Sequence, residues 1–197
     1  MYNHDMGAVV AVETTSGLVI GAHGGTADDR LVPSDQLHHI VDLGTVGVGA
    51  IGEPEAVHAL QQRLENEIEI QKLSHESVPS LEKVARIAGR AVQGTKVNAV
   101  VGARDRAGTP RLRTVRVDGE VVEESVVALG PNRELALEIL AGLDHSADLE
   151  TTAARLREVV RSCTGGDDPV EEPTETDVWT LGLEATEPTR SRLDANS

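Results

Sequence analysis

The sequence predicts an α+β fold, a four-layer αββα sandwich of two antiparallel sheets packed face to face, each covered on its outer side by two helices. Three observations lead there. Apolar runs of strand length come in groups separated by pairs of helical stretches, which argues against a doubly wound parallel sheet. The first two runs are apolar nearly throughout, so both of their faces are covered. The 197 residues include one Tyr, one Trp and no Phe. The core is therefore built from Val, Leu, Ile and Ala, which suit pleated surfaces faced by helices. This length fits one domain.

Residues 8–13 (AVVAVE) and 18–22 (LVIGA) read as a hairpin, with Gly17 supplying the positive φ of a tight turn. A glycine-rich polar loop spans 24–36. A second strand pair is expected at 38–43 (HHIVDL) and 45–51 (TVGVGAI), where small glycines permit close approach of another backbone. Pro54 suits the first turn of a helix over 54–73, whose inward stripe is Val57, Leu60, Leu64 and Ile68. Ser80 is placed to cap a second helix through residue 93, with Val84, Ile87, Ala88 and Ala91 inward.

Three strands follow at 96–103, 111–117 and 121–128. The second alternates Arg with Leu, Thr and Val, so one face is solvated, and Asp118-Gly119 signals a hairpin to the third. Asn132 and Asp148 are expected to cap helices at 133–142 and 149–162. The acidic, Gly- and Pro-rich stretch 164–176 reads as a mobile loop. Residues 177–183 (DVWTLGL) form a last strand, and the remainder reads as a disordered acidic tail.

Asp and Glu number 33 against 18 Lys and Arg, a net charge of −15. Such a surface repels nucleic acid and anionic membrane faces. High salt would screen its self-repulsion, so the composition resembles that of a salt-loving archaeon. One cysteine, Cys163, fits a reducing compartment. No apolar run approaches the ~20 residues that span a bilayer, and no basic region precedes the first apolar stretch. A cytoplasmic protein is expected.

With VVAVETTSGLVIGA first, HHIVDL next, then GVGAIGEPEAVHALQQRLENEIEIQKL, VVALGPNRELALEIL and DVWTLGL, the chain resembles β-type subunits of the proteasome family. These are N-terminal nucleophile hydrolases. The resemblance covers residues 7–183, leaving 1–6 as an N-terminal extension and 184–197 as the tail. It implies a ring of like or mixed subunits, and no cofactor. An α-type subunit is less expected, because no long N-terminal extension precedes the hairpin.

In that family a freed N-terminal Thr attacks with its hydroxyl and uses its own amine as base, oriented by an Asp and a Lys. The resemblance puts the nucleophile's position at Gly7, the Asp at His23 and the Lys at His39. The hairpin turn and the HHIVDL strand give the same offset independently. A supporting Ser falls at Pro131, and only the glycine beside which a peptide lies is retained, as Gly52. A non-catalytic structural or protein-interaction subunit is the resulting expectation.

The alternatives are an active threonine-type peptidase or amidohydrolase with an altered site, and a metal-binding domain. Thr14-Thr15 could lead a trimmed chain, but trimming would delete the first strand, and turn residues are the simpler reading. His23, His38 and His39 could gather round a metal with His4 or Asp5. Adjacent strand residues face opposite ways, however, so His38 and His39 cannot both join. Cys163 lacks a nucleophile motif, 167–175 matches no EF-hand loop, and Gly24-Gly25 and Gly165-Gly166 lack a phosphate-loop pattern.

Overall fold

A computed structural model describes residues 7–23, 40–74, 79–163 and 176–183, and the backbone of 189–193. The first sheet runs β10 (Thr189–Leu193), β9 (Thr176–Gly182), β2 (Gly17–His23), β1 (Ala8–Thr14), β8 (Val126–Leu129). The second runs β3 (Ile40–Asp42), β4 (Gly47–Ile51), β5 (Asn98–Arg104), β6 (Pro110–Val115), β7 (Val121–Glu123). Every pairing is antiparallel. Helices α1 (Pro54–Leu73) and α2 (Leu81–Val92) pack on the second sheet, and α3 (Arg133–Ala141) and α4 (Leu149–Cys163) on the first. The layers are those the sequence predicts.

Strand alternation sorts the core. Val10, Val12 and Val19 face α3 and α4, whereas Val9, Ala11, Leu18 and Ile20 face the second sheet. Glycines set how closely the sheets meet. A Cβ at Gly47 would fall 2.5 Å from the Trp179 ring, one at Gly49 2.7 Å from Val9 Cγ1, and one at Gly102 2.9 Å from Ile20 Cδ1. Glu13 stitches the sheets together. Its Oε1 accepts the Leu112 N–H at 2.7 Å, and its Oε2 lies 3.0 Å from the Arg111 guanidinium.

Four expectations are corrected. The single strand at 121–128 is two: β7 stays with β6, and β8 crosses to pair with β1, because Glu123-Glu124-Ser125 interrupts the apolar run. Residues 189–193, read as disordered tail, pair with the outer edge of β9. Ser80 and Asn132 stand at helix starts but make no side-chain capping bond. The strand read at 38–43 ends at Asp42, not Leu43, while His38 and His39 lie outside the described residues. The loop 24–36, most of the acidic stretch and the rest of the tail lie outside the described residues.

Asp148 does cap α4, its Oδ1 accepting the Thr151 N–H at 2.7 Å. That bond, and then the Thr151 hydroxyl, hold its carboxyl below the usual aspartate range. A carboxyl depressed in the folded state adds stability above its unfolded pKa, about 3.9, and loses it as pH falls through the folded value. Asp148→Asn is therefore expected to lower Tm modestly above about pH 4, where the charged cap contributes, and to converge on the parent at more acid pH, flattening the acid limb. An unchanged acid limb would rule this capping contribution out.

Candidate functional site

Of the positions named by the sequence, Gly7 and His23 lie at one end of the first sheet, together with the turn that leads to Pro131. Gly7 leads into β1, and Ala8 pairs with His23, which pairs with Thr176. On the other side of β1, Val9 pairs with Leu129. β8 ends at Leu129, and the next residue, Gly130, which precedes Pro131, lies against Gly7 and Ala8. Gly130 (φ +132°) makes the approach possible, since its Cβ would meet the Gly7 carbonyl oxygen at 3.1 Å. The resemblance to the proteasome family implies a hydroxyl, a free amine and a second hydroxyl at this place in a peptidase. Gly7 offers no side chain, and Pro131 offers neither hydroxyl nor N–H.

His23 is 7% exposed. It shares a face of β2 with Val19 and Gly21, the face that meets α4, and not the face turned to the second sheet. Its Nδ1 lies 3.0 Å from Thr176 Oγ1, which also receives a long hydrogen bond from Arg161 Nε at 3.5 Å. His23 is thus held by the helix-side layer. On the other face of β9, Asp177 is 2% exposed and pairs in register with Ala22. Sequence reasoning missed Thr176, Arg161 and Asp177. The only signal was two polar residues opening an apolar strand.

Gly52 closes β4 with φ +152°, and a Cβ there would fall 2.7 Å from the Lys96 carbonyl oxygen and 2.9 Å from Val97 Cα. The backbone of 96–97 therefore demands glycine at this position, whatever else passes beside it. His39, with His38, His4 and Asp5, lies outside the described residues. Among the described residues no three His, Cys, Asp or Glu side chains gather as a metal site.

Thr14 and Thr15 lie at the far end of β1, roughly 23 Å from Gly7 at about 3.3 Å per residue. The Thr14 hydroxyl donates to the Gly17 carbonyl and accepts the Ser16 N–H, and Thr15 binds the His145 carbonyl through its N–H and hydroxyl. Both are turn residues. Cys163 is buried in the helix-side core, and burial raises its thiol pKa, which disfavours the nucleophilic thiolate.

Two antiparallel sheets between helix pairs, with this end of the first strand as the focus, make a sandwich of the N-terminal nucleophile hydrolase type. A family model described as "Proteasome subunit" matches residues 5–167, and the chain belongs to that family. No curated protein matches it. No helix among the described residues is long and apolar enough to cross a membrane.

Proposed function

We propose that this chain is a proteasome β-like subunit without peptidase chemistry of its own, serving as a structural or protein-interaction member of a ring in the cytoplasm. One observation carries the reading: the start of β1 presents Gly7 against Gly130, the residue before Pro131, where attack on a peptide bond needs a hydroxyl and a base. Burial of His23 against Thr176 and α4 supports it, because that imidazole is already engaged. Ile70, Leu73 and Leu135 remain 59%, 74% and 45% exposed on helices of the two outer layers. Apolar side chains of this kind are what neighbouring subunits would cover.

An active enzyme led by Thr14 would have to shed the strand that pairs with both β2 and β8, whose Ala8 to Val12 are at most 1% exposed. Losing that strand would detach β8 from the first sheet and leave β2 as an open edge. The purified protein is expected to keep Gly7 within its chain by intact-mass analysis and to hydrolyse no peptide. In molar salt, alone or with active β-type subunits, it should migrate as an oligomer. A mature chain beginning at Thr14, with peptide hydrolysis lost in Thr14→Ala, would overturn the catalytic part. A strict monomer under every condition would overturn the ring.

A further inference from the structure

On the outer side of the second sheet a cleft of about 340 Å³ opens between α2 and the β6–β7 turn. Arg86, Arg90 and Arg113 line it, together with Glu82 and Gln93. Two glycines hold helix and turn together at its base: a Cβ on Gly89 would fall 2.7 Å from the Gly119 carbonyl oxygen, and one on Gly119 2.7 Å from that of Gly89. The volume lies in the ~300–1,000 Å³ range of small-molecule sites.

The polar groups here are unusually idle. Arg111, Arg113, Arg116 and Arg155 each sit beside a carboxylate. Arg86 and Arg90, exposed and one turn apart on α2, make no ion pair or hydrogen bond with any described residue. That is unexpected in a chain with 33 acidic residues and 18 basic ones. Glu82 stands four residues before Arg86, a spacing that favours pairing. It does not pair, and its Oε2 is buried without a hydrogen-bond partner. Arg113 is 15% exposed and fixed, donating to the Leu112 carbonyl at 2.8 Å and lying 3.3 Å from Glu123.

We propose that this cleft binds a small hydroxylated oxyanion, of the sugar-phosphate or hydroxy-acid kind. The Arg86 and Arg90 forks take the anionic group, Arg113 supplies a fixed positive wall, and Glu82 accepts the ligand's hydroxyl. The site belongs to the layer of α1 and α2 and rests on nothing argued for the Gly7 end of the first sheet.

Thermal unfolding tests it at constant ionic strength, with KCl compensating each addition. Glycerol 3-phosphate or malate is expected to raise Tm saturably, and the more effective of the two identifies the source of the anion. Uncharged glycerol should leave Tm unchanged. The double variant Arg86→Ala/Arg90→Ala alters only exposed side chains and should bind more than about tenfold more weakly. Arg155→Ala on α4 should bind like the parent. Glu82→Ala should abolish the preference for glycerol 3-phosphate over inorganic phosphate. No saturable shift with either hydroxylated anion, or one that survives the double variant, overturns the site. An unchanged preference in Glu82→Ala overturns the role of the hydroxyl.

Discussion

Replacing Trp179 by Ala is expected to destabilise the fold by about 3–5 kcal/mol. Trp179 is fully buried and lies at the centre of β9 between the two sheets. The sequence has no Phe to share that volume. Gly47 exists as it does because the indole lies against it, so an alanine at 179 leaves a void with glycine as one wall. The neighbouring strands are held by their ladders and cannot collapse into it. The indole Nε1 also donates to Asp42 Oδ1 at 3.3 Å, tying β9 to the second sheet. Trp179→Phe keeps most of the ring and should lose less, the missing donor accounting for about 1 kcal/mol. Urea unfolding followed by far-ultraviolet circular dichroism reads both variants. A loss under about 1 kcal/mol for Trp179→Ala would mean that the inter-sheet core is not packed as described.

The layers were legible because strand and helix periods leave different traces in the sequence. Val57, Leu60, Leu64 and Ile68 recur at helical spacing and are all buried on α1. The Asp118-Gly119 turn has its glycine at φ +85°. Capping was legible only in part: Asp148 and Asn132 give the same signal, and only Asp148 makes the bond, Asn132 having φ −102° and ψ 38° instead of the extended backbone of a capping residue. The crossing from β7 to β8 was marked only by Glu123-Glu124-Ser125, polar residues that one strand with a solvated face could equally carry. Pairing of 189–193 was hidden because an edge strand takes its stability from a neighbour's open ladder and needs no apolar run of its own.

The candidate site shows the same division. Gly7 and Pro131 could be named from resemblance, and the β1–β8 pairing brings Gly130, the residue before Pro131, against Gly7. The direction of His23 could not be known before its face of β2 was assigned to a layer. The sequence allows its imidazole as a metal ligand, yet it bonds to Thr176, 153 positions later in the chain. Only the sheet order makes those two residues neighbours.

Gly17→Ala should cost roughly 2–5 kcal/mol, more than its place in a turn suggests. The sequence explains this glycine by its positive φ, and the observed +145° agrees. The structure adds a second demand, because a Cβ there would fall 2.1 Å from the Leu181 carbonyl oxygen and 2.9 Å from Gly182 Cα. Both atoms are backbone, so no side chain can swing aside, and β9 itself must shift. Gly17 pairs with Gly182 at one end of the β2–β9 ladder, and His23 pairs with Thr176 at the other. Displacing β9 thus loosens the contact that engages His23. Gly108→Ala is the control, since that glycine has φ +83° with nothing within 4 Å of its Cβ position. It should cost only about 1 kcal/mol, the strain of the backbone alone. Denaturation midpoints for the two variants separate the demands. Equal losses would show that the approach of β9 imposes nothing on Gly17 beyond its turn.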